Sequence, residues 1–392
     1  MPVSNSNINR MYIFNFLLSM HFIGGVLIPF MTDWGGISFS QIMVLQSFFM
    51  ISIFALEVPT GAVADYLGRK TSLILSAIVN AFAALVYSSQ PNFYVFMVGE
   101  FLWAVGTALL SGADEALVYD SLLTDGRESE SKRIFGRLES SALVALMVSA
   151  PIGSIIATTI GLRYTMMFLF IPCFLAAIVG LGLKEPKIVS ERPEKKYFST
   201  IKEGFKYFKG HSVLKLLAFD RIAIGNMVFM IIWVYQPLLS ELMVPIFFFG
   251  FVHAAMTGVQ ILVLNSFSRM ENILGSKRRY VLFSAVLPGV SFVLLALNRY
   301  IALAIVLILI ISAFGLTRVI LYQNYLNKYI DSHNRATVLS TISMISVLTR
   351  AVSYPLIGVL VEWSLRGSFL IMGGLTLIFA LMSRVREEHL ID

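Results

Sequence analysis

Eight ionisable side chains lie inside apolar stretches of this sequence: His21, Glu57, Glu100, Asp114, Glu115, His253, Arg318 and Arg350. Charge held away from water is expensive, so each marks a place where a proton, an ion or a polar solute could be handled. Asp114 and Glu115 are adjacent, and neighbours on a helix point about 100° apart, so only one of them can face a given cavity. Tyr119 follows Glu115 by one turn, and Tyr322 follows Arg318 in the same way. Arg350 lies about thirteen residues into its stretch, roughly 20 Å at 1.5 Å per residue. At that depth it needs an acidic partner, which the sequence does not identify. His21 could carry protons or touch substrate, or could simply be hydrogen-bonded within its helix. Glu57, four residues before Gly61, suits structural pairing near the cytoplasmic end of its stretch, with proton carriage as the alternative. No metal-ligand cluster, nucleophile motif or suitably spaced pair of carboxylates accompanies these groups, so neither an enzyme nor a cofactor is expected. Cys173 is the only cysteine, which rules out an intrachain disulfide and a cysteine metal cluster.

The elements that position these groups follow from composition. Hydrophobic residues make up 57% of the chain and charged residues 14%, with a mean hydropathy of +0.79. A soluble domain carries about 25% charged residues, so this chain belongs in a bilayer. A membrane helix needs about 20 apolar residues. About twelve such runs are present, near 11–32, 39–62, 71–90, 92–123, 137–160, 163–183, 213–240, 244–267, 279–297, 299–328, 337–361 and 366–383. Spanning segments must satisfy their backbone internally, so long apolar runs predict an all-α polytopic membrane protein. With both termini inside, the outer loops hold only Arg163, Arg299 and Arg366 among the lysines and arginines. Arg318 and Arg350 fall within spans, and the rest lie on the cytoplasmic side or its border. That asymmetry sets the orientation and accounts for a pI near 9.4 without nucleic acid.

The longest loop, Lys184 to Ser212, divides the spans six and six, giving bundles at 1–183 and 213–392 with a linker at 184–212. Pro186 and Pro193 stand near its start. In its second part Ile201, Phe205 and Phe208 are spaced i, i+4 and i+7, which predicts a short amphipathic helix on the inner leaflet. The halves repeat in order. Asn9-Arg10 and Asn15 align with Asp220-Arg221 and Asn226, while Gly112, Glu115 and Tyr119 align with Gly315, Arg318 and Tyr322. Pro151 aligns with Pro355, and Leu162-Arg163 with Leu365-Arg366. The stretch from Gly61 to Lys70 aligns with Ser268 to Lys277, where Asp65 becomes Asn272 and Arg69 becomes Ser276.

That first-half stretch, Gly61-Ala-Val-Ala-Asp65-Tyr-Leu-Gly68-Arg69-Lys70, resembles the signature loop between helices 2 and 3 of the major facilitator superfamily of secondary transporters. The resemblance implies twelve helices in two pseudo-symmetric six-helix bundles. It also implies a cytoplasmic gate in which Asp65 and Arg69 join the halves, with Asp120 at the end of helix 4 as the acid that meets Arg69. Gly61 would allow close helix approach or a bend, and Gly68 a tight turn. In the family helices 1, 4, 7 and 10 line the cavity, which would place Asn15, His21, Asp114, Glu115, Asn226, Arg318 and Tyr322 at or near it, with Arg350 on helix 11. Glu115 and Arg318 could face each other across the cavity as a switching or proton-coupled pair, or could be static pairs within each half. Ser149-Ala-Pro151-Ile-Gly153-Ser154 resembles a degenerate form of the family's antiporter motif. The look-alike phosphate loop Gly68-Arg-Lys-Thr71 lacks the glycine spacing and a preceding strand, so any transport would draw on a gradient.

The function these observations imply is proton-coupled efflux of a small organic or amphipathic compound by alternating access, in a monomer in the plasma (inner) membrane. Uptake or facilitated diffusion of a polar metabolite is the alternative, as is a non-transporting receptor or scaffold on the same fold.

Overall fold

Apolar residues around the whole circumference of most runs leave the backbone no option but to bond within each helix. A computed structural model describes residues 3–186, 197–331 and 335–391, and among them every regular element is helical. Eleven helices are long and apolar enough to cross a membrane. The run at 11–32 is not among them, because it is broken: α1 (Val3–Leu18) gives way to turns over 19–26 before the single turn α2 (Leu27–Pro29) and a π-helical turn, Phe30–Trp34.

The first half continues with α3 (Phe39–Leu67), α4 (Arg69–Tyr87), α5 (Phe93–Leu110), α6 (Ala113–Thr124), α7 (Ser131–Thr159), α8 (Leu162–Met167) and α9 (Phe170–Leu181). The second half holds α10 (Tyr197–Gly210), α11 (Ser212–Phe229), α12 (Ile231–Glu241), α13 (Phe249–Leu264), α14 (Phe267–Leu274), α15 (Lys277–Leu297), α16 (Ile301–Ile310), α17 (Arg318–Lys328), α18 (Arg335–Trp363) and α19 (Leu365–Met382). By internal contact the chain forms two units. One comprises 1–192 with 246–254, the other 193–245 with 255–392.

Small residues let helices approach within each unit, as expected where lipid removes the usual hydrophobic driving force. Ser72 and Ser76 of α4 donate to the carbonyls of Leu109 and Gly106 on α5, both at 2.6 Å. A Cβ on Gly99 or Gly106 would overlap Tyr87 or Asn80. Phe14, Leu73, Ala77, Leu117, Val118 and Cys173 form the core of the first unit. Leu214, Leu217, Tyr280, Tyr322, Leu326 and Val338 form that of the second.

The amphipathic segment is helical as α10, but it packs on its own unit. Gly204 sits against Thr337 and Thr341 of α18, and Tyr207 and Phe208 pack on the core, leaving Phe205 51% exposed. Lysines on one face and apolar residues on the other suit either a leaflet or a helix groove, and α18 supplies the groove. The side chain of Ile201 and the stretch around Pro193 lie outside the described residues.

Candidate functional site

Four runs that would line a cavity are interrupted in mid-course. The first breaks at 19–26. The fourth breaks at Ser111-Gly112, where Gly112 takes φ +74°, a left-handed conformation that glycine adopts without steric penalty. The seventh breaks at Met230, between α11 and α12, and the tenth passes through π-helix over Ile311–Leu316. Gly112 and Gly315, matched in the sequence repeat, both fall in such interruptions.

The Gly68 turn forms as expected, with φ +91° between α3 and α4. Arg69 forms an ion pair with Asp120 on α6, and its Nη1 donates to the Ala116 carbonyl at 3.0 Å. Asp65 is exposed on the last turn of α3. The helix α3 continues through Gly61, where an added Cβ would meet no atom within 4 Å.

What holds this turn includes a residue that the sequence reading missed. The Glu185 carboxylate accepts the backbone N–H groups of Arg69 (2.9 Å) and Lys70 (2.8 Å), at the start of α4. These N–H groups have no partner within the helix, and the helix dipole favours an anion there. The second half repeats the device, since Glu387 accepts from the N–H groups of Lys277 (3.0 Å) and Arg278 (2.9 Å) at the start of α15. The second loop has therefore lost the Arg69 and Asp65 chemistry but kept its cap. Both acids follow the last helix of their half, a position that could have exposed the match.

Burial acts to raise the Glu387 carboxyl, but the N–H groups of Arg278 and Lys277, the Ser276 hydroxyl and the Lys277 charge outweigh it and hold it below its ordinary value. A carboxylate depressed in the folded state stabilises the fold above its ordinary pKa, and that contribution fades as pH falls through the lower folded value. The thermal midpoint of the purified protein should therefore drop more between neutral and acid pH than that of Glu387→Gln. Parallel curves for the two proteins would rule out this role.

For Arg318 the structure shows the second of the two alternatives the sequence left open, a static pair within its own half. Arg318 is 1% exposed and pairs with Asp220 on α11. It also donates to the Val281 carbonyl, to Ser284 Oγ at 2.7 Å and to the Tyr322 hydroxyl at 2.9 Å, and Tyr322 donates to Asp220. Arg318 is thus held in a cluster inside the second unit, and among the described residues a pair with Glu115 is not formed. Asp220 entered the sequence reading only as an aligned position, because 98 residues separate it from Arg318. Glu115 is exposed, and its N–H donates to the half-buried Asp114 carboxylate at 2.8 Å. Of the two, Asp114 is the one turned inward.

Asn15, expected on a cavity wall, instead ties α1 to α7 by donating to the Leu138 carbonyl at 2.8 Å. His21 sits in the break of the first run, edge-on to Trp103 with ring centroids 5.7 Å apart. Beside it the antiporter-like stretch is used for close packing. A Cβ on Gly153 would overlap the Phe22 carbonyl oxygen, and Ser154 Oγ accepts from the Gly250 N–H at 2.7 Å. Glu100 is buried and accepts a hydrogen bond from Gln46 of α3.

Asn226 and Arg350 do line a cavity, of about 320 Å³, within the second unit. Arg221, Phe229, Gln260 and Ser346 share it. Arg221 was assigned to the cytoplasmic border from sequence. Here it stands nine residues into the span that begins at Ser212, roughly 14 Å along the helix.

The model of the Major Facilitator Superfamily matches residues 11–346. No curated protein sequence matches the chain. Among solved structures, the nucleoside transporter NupG superposes with a TM-score of 0.79 at 12% identity, over 97% of this chain and 98% of that one. A POT family transporter in complex with 5-aminolevulinic acid gives 0.77 at 14%, over 98% and 96%. A D-xylose–proton symporter gives 0.74 at 13%, over 98% of each. Loop, broken helices, family match and fold agree, and the chain belongs to the Major Facilitator Superfamily.

Proposed function

We propose that the chain is a secondary transporter that exports a small organic solute by alternating access, driven by a proton gradient. It works as a monomer in the plasma (inner) membrane with both termini cytoplasmic, the bundles 1–183 and 213–392, joined by a linker at 184–212, rocking about a midplane site. The observation that carries this reading is the set of four interrupted helices. Irregular backbone at membrane depth is tolerated only where protein buries it or where it lines a wet cavity, and half-helix ends are where such carriers hold solutes. A scaffold needs neither the interruptions nor the charged groups beside them.

Proton drive is supported by analogy with the D-xylose–proton symporter and by Glu100, a buried carboxyl bonded to a neutral amide. Export is supported by the 149–154 stretch and by resemblance alone. Uptake of a polar metabolite is the second reading, favoured by the polar lining of Arg221, Asn226, Gln260 and Ser346.

Purified protein in liposomes with an imposed pH gradient tests the reading. A compound panel should include one whose flux accelerates with the gradient, and Glu100→Gln should remove that acceleration while leaving downhill exchange. Flux that ignores both the gradient and the substitution would refute proton coupling. Movement of no compound would favour a scaffold.

A further inference from the structure

The cavity in the second unit carries more positive charge than its own residues neutralise. Arg221 projects from α11 and Arg350 from α18 into the same space. Among the described residues neither has an acidic partner within ion-pair distance. Asp220, adjacent to Arg221 in sequence, is occupied by Arg318 and Tyr322. Glu271 accepts from the Tyr325 hydroxyl at 2.6 Å, and Glu241 pairs with Arg366. The neutral contacts of the two arginines are long, 3.5 Å from Arg221 to Gln323 Oε1 and 3.3 Å from Arg350 to Ser346 Oγ. Arg350 Nε and Asn226 Nδ2 are buried and bonded to nothing among the described residues. The wall therefore offers a surplus of donors. Phe229 adds a flat apolar face, its ring centre 4.9 Å from the Arg350 guanidinium carbon.

Two guanidinium groups and an amide N–H₂, all short of acceptors, complement a group with several anionic oxygens, because the guanidinium fork matches a carboxylate or phosphate in two parallel hydrogen bonds. Unpaired donors in a partly dry site are costly, and an anion would relieve that cost. The volume is at the small end of the range of about 300–1,000 Å³ for ligand pockets, which suits one ring or a short chain. We propose that this cavity is an organic-anion site, with Arg221 and Arg350 gripping the carboxylate or phosphate of a small solute and Phe229 stacking on its planar part. The inference rests on the carrier reading above and gives it a substrate class. It also predicts discrimination against amphipathic cations, which two uncompensated arginines repel.

Benzoate, phenyl phosphate, benzamide and benzylamine differ mainly in charge, and they serve as probes for the full-length protein in nanodiscs of neutral lipid. Binding is read from the unfolding midpoint and from tryptophan fluorescence. Benzoate or phenyl phosphate should bind at least about ten-fold more tightly than benzamide, and benzylamine should not bind. Arg221→Gln and Arg350→Gln should each weaken the anion by about ten- to hundred-fold, the range expected for losing a hydrogen bond to a charged group. Arg350→Lys should retain part of the affinity, since it keeps the charge but loses the fork. The comparison among probes needs no substitution, so a variant that fails to fold does not shelter the proposal.

Equal binding of the neutral isostere, failure of both anions to bind, or unchanged affinity in both glutamine variants would overturn it. So would loss of benzoate and phenyl phosphate binding when the nanodiscs are made with phosphatidylglycerol, because the cavity would then hold a lipid headgroup. Benzoate binding without exchange of labelled benzoate across liposomes supports the site and counts against transport. Exchange that is indifferent to the charge of the solute does the reverse.

Discussion

Asp220→Asn is expected to lower stability by about 3–5 kcal/mol, the cost of leaving a buried charge without its partner. Arg318 is 1% exposed, and Asp220 is the carboxylate beside it. The Ser284 hydroxyl, the Val281 carbonyl and the Tyr322 hydroxyl would still surround the guanidinium, but none carries a compensating charge. The Tyr322 ring, 4.7 Å from the guanidinium carbon, offers only a weak cation–π attraction by comparison. The unfolding midpoint and the folded yield of the purified variant check this. A double variant, Asp220→Asn with Arg318→Gln, should recover much of the loss, because it removes the orphaned charge along with the pair. If Asp220→Asn alone unfolds at the temperature of the unaltered protein, the cluster does not hold α11, α15 and α17 together as argued.

Arg69→Ala should act on flux more than on stability. The Arg69–Asp120 pair is largely enclosed, with side chains 13% and 16% exposed, and Arg69 also bonds the Ala116 carbonyl. It joins the start of α4 to the middle of α6 by charge. The pair lies within the first unit, and hydrogen bonds to charged groups are worth about 1.5–3 kcal/mol, so losing them loosens the hold of α6 on the Gly68 turn and the start of α4. A carrier that relies on that turn being held in place should then slow by about ten- to hundred-fold, the factor this energy corresponds to, measured as substrate flux per folded protein in liposomes. Asp120→Asn should have a similar effect, and exchanging the two residues should restore part of the flux. Unaltered flux in both single variants would reduce the pair to a structural contact.

These two expectations mark the boundary between what could be read and what could not. Hydropathy determines that the chain is a set of membrane helices, because the bilayer leaves no other backbone arrangement. The Gly68 turn and the meeting of Arg69 with Asp120 were also within reach, through local turn chemistry and resemblance. The break at 19–26 was not. It carries Gly24 and Gly25 inside an apolar run whose hydropathy is the same whether the helix continues or stops.

Partnerships over long separations were equally hidden. Periodicity shows which positions are apolar but not how each helix is rotated about its axis, and rotation decides which polar side chains meet. Which acid Arg318 would meet, Asp220 within its half or Glu115 across the cavity, was therefore open until the helices were placed, and Asn15 spent its amide on the Leu138 carbonyl. Glu185 and Glu387 went unmarked in the sequence reading, because their backbone N–H partners lie more than a hundred residues away. By itself, then, the sequence determined the family, the helices and one ion-paired turn, since these depend on local chemistry and on the membrane as solvent. Only the tertiary structure decided which charges are neutralised and which are left waiting. That outcome depends on the packing of helices nearly a hundred residues apart, and it leaves Arg221 and Arg350 facing the same cavity.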